Sequence, residues 1–295
     1  MKKFIILILS LLLINFALIS CVKIQEANDK NSEEIIKEET EDNTVDKEET
    51  VENTEENLSN KEEKVDIEYI NIAPEDVRIP ILMYHSISDE DPNNNLLVPP
   101  AMFEEQMAWL EENDFTAMSM DEVLEAMETG KVPKRPIAIT FDDGYSDNYT
   151  SAFPSLKDHG LKATFFVITD GVDDGYYMSS DMLKEMQGAG MSIENHTANH
   201  LELDKLSRED AYDSIKRGQD FLRNVIGSDG NYLCYPVGKY SDETIEIAKE
   251  LGIKAATTTQ GGISSINDGV YQLKRVRISP MSIEGFAAIF SEYIY

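Results

Sequence analysis

Residues 137–145, Ile137-Ala138-Ile139-Thr140-Phe141-Asp142-Asp143-Gly144-Tyr145, lead from an apolar run into two adjacent carboxylates and a glycine. The β-branched bias of Ile137 to Thr140 predicts a buried strand that ends near Asp142. Carboxylates side by side at such an end repel each other unless a cation, a shared proton or a basic partner compensates them. The stretch therefore asks for a metal or an acid–base role. An Asp-Asp-Gly turn, with both side chains capping backbone donors, meets the same demand.

Outward from it, Ile193–Leu201 reads IENHTANHL and holds two of the four histidines in the chain. His196 and His200 are four apart, a spacing that brings imidazoles together on a helical turn. Two histidines and one carboxylate are an ordinary ligand set for catalytic zinc, with a position left for water or substrate. Taken with the aspartate pair, the segment favours a metal site over a turn and a chance pair of histidines.

The rest of the chain alternates strand and helix patterns. Strands are expected at 79–84, 137–141, 163–168, 191–195, 231–235, 253–258 and within 270–278. Helices are expected around Phe103, Met107 and Leu110, from a Ser119 cap, at 149–159 despite Pro154, and at 180–187, 207–226, 241–251 and 282–291. This order predicts one parallel-stranded α/β domain. His85, Asp142, Asp143, His196 and Pro236-Val237-Gly238 all follow strands, and in a β/α barrel such ends meet on one face. An open doubly wound sheet fits the alternation equally well. No GxGxxG, GxxxxGK[ST] or GxSxG occurs, which counts against nucleotide binding and a serine hydrolase.

FDDG followed by HTANH resembles the polysaccharide deacetylases, the NodB-homology or carbohydrate esterase family 4 proteins, over roughly Ile79 to Ser291. The resemblance implies a distorted, incomplete β/α barrel of about seven parallel strands. It implies that Asp143, His196 and His200 hold one divalent metal, zinc first with cobalt, nickel or iron as alternatives, and that Asp142 is the catalytic base. Glu194-Asn195 replaces the more usual Gly-Ser or Gly-Asn, a departure that bears on substrate preference. Tyr84-His85 in ILMYHSI resembles the subgroup that deacetylates poly-β-1,6-N-acetylglucosamine, which makes His85 the candidate general acid. LCYPVG carries Cys234 where related groups often have arginine, so Arg275 or Arg277 is expected to approach Asp142, with Arg275 the better match.

The first 21 residues combine Lys2, Lys3 and an apolar run from Phe4 to Ile19, and Leu18-Ile19-Ser20-Cys21 resembles a lipobox with Cys21 as the acylated residue. Residues 22–66 hold 17 acidic and 6 basic residues and no aromatic one, so they are read as a disordered tether. Residues 67–295 form the deacetylase domain, itself strongly acidic, which suits a neutral or cationic glycan and disfavours nucleic acid. The sequence thus points to a monomeric, lipid-anchored enzyme on the extracellular face. Its expected activity is metal-dependent removal of N-acetyl groups from an N-acetylglucosamine polymer, poly-β-1,6-N-acetylglucosamine first. Peptidoglycan or chitin-oligomer deacetylation, O-acetylxylan esterase activity and a non-catalytic glycan-binding lipoprotein are the alternatives.

Overall fold

The computed structural model of the protein describes residues 67–291. In chain order these form β1 (Tyr69–Asn71), β2 (Ile81–Tyr84), α1 (Pro100–Glu112), β3 (Thr116–Ala117), α2 (Met120–Thr129), β4 (Lys131–Pro133), β5 (Pro136–Phe141) and α3 (Phe153–Asp158). There follow β6 (Thr164–Val167), α4 (Ser180–Gly188), β7 (Ser192–Asn195), α5 (Arg208–Ile226), β8 (Tyr232–Cys234), α6 (Asp242–Glu250), β9 (Ala255–Gly261), β10 (Leu273–Arg277) and α7 (Ile283–Ala288).

The local signals act as their chemistry requires. Ser119 and Glu122 exchange side-chain-to-backbone bonds at the start of α2, satisfying two donors that the first helical turn leaves open. Ser207 accepts from the Asp210 amide to start α5, and Gly227 ends that helix at φ 72°. The expected helix at 149–159 is two pieces, a π-helical segment at Asn148–Ala152 and then α3. Pro154 falls in the first turn of α3, where its missing N–H leaves no hydrogen bond unmade.

Seven parallel strands run β2-β10-β9-β8-β7-β6-β5, and β2 also pairs with β5 from Ile81↔Ala138 to Tyr84↔Phe141. The ring is therefore closed, where an incomplete barrel was expected. Closure depends on the six-residue length of β5, whose first two residues pair with β3 and whose last four are left for β2. Alternate strand residues then face opposite ways. Ile81, Ala138, Phe166, Tyr232, Cys234, Ala255 and Leu273 fill the barrel together, with Met120, Val123 and Met127 of α2 packed against them. Leu82, Tyr84, Ile139, Phe141, Phe165 and Ile193 face outward onto Phe103, Met107 and Leu110 of α1 and other covering residues. Burial on both faces explains why β2, β5 and β6 read as continuous apolar runs.

Candidate active site

Asp142 follows β5 on the inward-facing register and meets Arg275, brought by β10. Both side chains are sealed from solvent. Arg275 donates from Nη1 to Asp142 Oδ1 and from Nη2 to Asp142 Oδ2, each at 2.7 Å. Its other N–H groups go to the Thr258 carbonyl at 2.9 Å, Thr140 Oγ1 at 3.1 Å and Cys234 Sγ at 3.2 Å. All five guanidinium donors are thus used, which a lysine could not reproduce. Burial opposes charge on Asp142, but Arg275 outweighs it and holds the carboxyl well below its ordinary range. A register shift between β9 and β10 at Leu273/Arg275 breaks the regular ladder where the guanidinium reaches the Thr258 carbonyl. Arg277, two residues on, is exposed. Of the two expected arginines, Arg275 is the one that reaches Asp142.

Asp143 points the other way because its backbone is left-handed, at φ 72°. Its Oδ1 lies 3.3 Å from His196 Nε2 and 3.4 Å from His200 Nε2. A tetrahedral zinc shell with bonds of about 2.0–2.1 Å has donor-to-donor edges of about 3.4 Å, so these spacings fit an ion held by all three. His196 Nδ1 is engaged by the Cys234 carbonyl at 2.8 Å, which fixes the ring and leaves Nε2 for the shared point. Burial opposes charge on His196, but Cys234, Asp143 and Asp142 raise its pKa well above the ordinary value. Asp143 is likewise depressed against its own burial, chiefly by His196. At the third donor the balance is reversed, because burial and then the neighbouring His196 lower the His200 pKa. A second cluster, Asp142 with His196 and Cys234, is also close enough to hold an ion. There the Arg275 guanidinium already supplies the cation.

The two histidines do not share a helical turn. His196 follows β7 directly, and the chain then passes through Thr197 at φ 64° and His200 at φ 53° in a non-helical loop. Asn195 Oδ1 accepts the Thr197 amide at 2.8 Å, and Thr197 Oγ1 accepts the His200 amide at 3.0 Å. Asn195 is itself held by its Nδ2 bond to the Ile215 carbonyl, and Gly218 of α5 gives it room, since a Cβ there would stand 2.2 Å from its Oδ1. Among the described residues, four of the six non-glycine residues with positive φ, Asp143, Thr197, His200 and Val237, belong to this site or the loop after β8 beside it. For a β-branched residue such as Val237, at φ 56°, that conformation is strained, and such strain gathers where function overrides local preference.

His85 follows β2 with its Nε2 3.9 Å from Asp142 Oδ2. Asp147 holds the segment by accepting from Ser86 Oγ at 2.6 Å and the Ile87 amide at 3.0 Å, while Asn148 donates to the His85 carbonyl at 2.7 Å. Burial lowers the His85 pKa below 6.5, partly countered by Asp142 and Asp143. Two contributors went unread in the sequence. Tyr145, in plain view after Gly144, stands beside Asp143, and burial and that carboxylate push its pKa far up. Val237 carries no chemical signal, only its strained backbone. Glu194, the departure from the family pattern, faces the barrel interior and accepts from the Tyr232 amide at 3.0 Å and Ser192 Oγ at 2.9 Å. Burial pushes it up to about 7. The β7–β8 ladder has a single residue pair, Asn195↔Leu233, so this carboxylate ties two thinly bonded strands together and does not face the mouth.

Barrel and donor set define the class: an α/β-barrel enzyme with a candidate site for one divalent ion. The polysaccharide deacetylase family model matches residues 129–256. Over 213 residues the chain is 38% identical to the putative polysaccharide deacetylase YxkH of Bacillus subtilis, covering 72% of this chain and 75% of that protein. The chain belongs to the polysaccharide deacetylase family. It is 28% identical over 230 residues to a poly-β-1,6-N-acetyl-D-glucosamine N-deacetylase of Staphylococcus epidermidis, covering 69% of this chain and 80% of that one. Among solved structures it resembles the Streptococcus pyogenes deacetylase PplD in complex with acetate, with TM-score 0.70 and 35% identity over 72% of this chain and 98% of PplD.

Proposed function

We propose that this enzyme removes N-acetyl groups from an extracellular N-acetylglucosamine polymer, with poly-β-1,6-N-acetylglucosamine its first substrate. The observation that carries the choice is His85 facing Asp142 from the first barrel strand, in a chain with no histidine beyond His200. The relative of Staphylococcus epidermidis named for that polymer supports it.

In this reading Asp143, His196 and His200 hold one divalent metal, zinc first. When bound, that ion polarises the acetyl carbonyl and lowers the pKa of an attacking water. Asp142 takes the proton that the water gives up as its oxygen adds to the carbonyl carbon. Arg275 keeps the proton affinity of Asp142 low, so the carboxylate passes the proton on and does not store it. His85, uncharged at rest by virtue of its burial and 3.9 Å away, receives it and delivers it to the departing nitrogen as the C–N bond breaks. Acetate and a free amine result.

We further propose three parts for the chain: a lipoprotein signal at 1–21 with lipid on Cys21, an acidic tether at 22–66 and the catalytic domain at 67–295. The first two lie outside the described residues. Among the described residues no helix is long and apolar enough to cross a membrane. The test is acetate release by the purified protein with defined metal from poly-β-1,6-N-acetylglucosamine, peptidoglycan and chitin oligomers, with the first turned over fastest. Faster release from either of the others overturns the substrate choice. Mass spectrometry of the mature N-terminus should find a lipid-modified Cys21, and an unmodified chain beginning before it defeats the anchor.

A further inference from the structure

Among the described residues, large apolar side chains that remain exposed are few, and they are not scattered. Of the five, Ile67 and Tyr69 lie at the start of the described residues. The other three, Tyr176, Leu201 and Val237, are 65%, 47% and 54% exposed. Each lies on a loop at the C-terminal end of a barrel strand, after β6, β7 and β8 in turn, and those strands are neighbours in the sheet. Together with Tyr145 after β5 they form an arc of the rim beside Asp143, His196 and His200. An exposed apolar arc continuous with a catalytic site marks a surface that something covers.

Tyr176 is also rigidly presented. The Tyr145 and Tyr177 rings stack at 5.5 Å and 12°, and Tyr176 stands edge-on to both, at 5.4 Å and 80° and at 5.1 Å and 85°. The loop is bonded to the catalytic segment itself: the Ser146 amide donates to the Tyr176 carbonyl at 3.1 Å, and the Met178 amide to the Gly144 carbonyl at 2.9 Å. Asp174 Oδ1 accepts both the Tyr176 and Tyr177 amides, at 2.8 and 3.0 Å. Gly171 lets the Tyr177 ring lie flat, because a Cβ there would meet that ring at 2.4 Å. An exposed phenol held in place on three sides has little freedom left to lose on binding.

We infer that Tyr176 is a stacking shelf for the sugar next to the one being deacetylated, with Val237 and Leu201 continuing the apolar rim along the glycan. The inference rests on the N-acetylglucosamine-polymer reading. A pyranose ring presents a face of axial C–H groups that suits an aromatic plane, while its hydroxyls stay in water. The shelf is joined to the Asp142–Asp143 segment through backbone bonds, so a sugar on it is in register with its neighbour at the metal-ligand cluster. The enzyme should consequently recognise a run of sugars and treat a single one poorly.

The test compares Tyr176→Ala and Tyr176→Phe with wild type, using N-acetylglucosamine pentamers in β-1,6 and β-1,4 linkage and the corresponding disaccharides. Ring-proton shifts of Tyr176 on pentamer addition report occupancy without turnover. The shelf predicts such shifts, and a pentamer-to-disaccharide KM ratio that moves about two- to twelvefold against the pentamer in Y176A and is restored in Y176F, since one stacking contact is worth about 0.5–1.5 kcal/mol. Unshifted ring protons in wild type, or an unaltered ratio in Y176A, overturns it. A protein that binds pentamers through Tyr176 yet releases no acetate would keep the shelf and sink the catalytic reading.

Discussion

Asp142 and Asp143 share one peptide bond and act on the same two histidines, His85 and His196, yet each has its own principal partner. Asp142 turns into the barrel, where the protein supplies its own cation through five bonds from Arg275. Asp143, at φ 72°, faces the imidazoles of His196 and His200. Identical side chains thus obtain opposite assignments from backbone direction. One is neutralised from within, and the other is left to hold charge brought from outside.

The sharpest way to break this contrast is to delete each carboxylate. Asp143→Ala should strip the bound metal and lower acetate release by about 10³-fold or more, several kcal/mol of lost stabilisation. Asp142→Asn should keep the metal and still lose about 10²–10⁴-fold, the scale of a positioned base. Metal analysis beside turnover separates the two; equal metal loss in both variants would erase the distinction.

Arg275 tests the inner half. Arg275→Ala strands a buried carboxylate and should cost about 3–5 kcal/mol of stability at neutral pH, read from denaturant unfolding. The deficit should narrow on acidification, because the stranded Asp142 can then take a proton. In wild type the depressed carboxylate keeps its charge well below 3.8, while the stability it contributes is complete only above 3.8 and drains away as the pH falls from there through its folded pKa. A deficit independent of pH would deny that the charge is the cause.

The smallest effect belongs to His85, which touches the contrast only through Asp142. His85→Ala should keep fold and metal and lose about 10²-fold on the amide, and far less on an activated aryl acetate whose leaving group needs no proton. A relay that starts from neutral His85 makes wild-type turnover rise as pH climbs through its lowered pKa and then level off. Turnover that instead falls across that range would mean His85 must begin protonated. Equal losses on amide and ester would reduce it to a positioning role.

Much of this was legible in residue order. The runs at Ile81–Tyr84, Pro136–Phe141 and Thr164–Val167 announce buried strands because both their faces are covered. What escaped depends on long-range geometry. Closure of the ring turns on how β5 divides its edge between β3 and β2, and β3 is too short for any pattern. Arg275 and Arg277 share a face by alternation, so parity could not choose between them; depth along the barrel did. The four-residue spacing of His196 and His200 suggested a helix. The side-chain bonds of Asn195 and Thr197 impose a left-handed loop that achieves the same convergence by another route.

The first strand, β1, has a consequence of orientation. It pairs with β4, and the Lys134 amide donates to the Glu68 carbonyl just before β5 begins. The chain therefore enters at the pole where the barrel strands start, while His85, Asp142 and Asp143 stand where they finish. A long polymer can therefore cross the working end clear of the pole where β1 joins, so deacetylation along the middle of a strand is as open to this enzyme as deacetylation at a terminus.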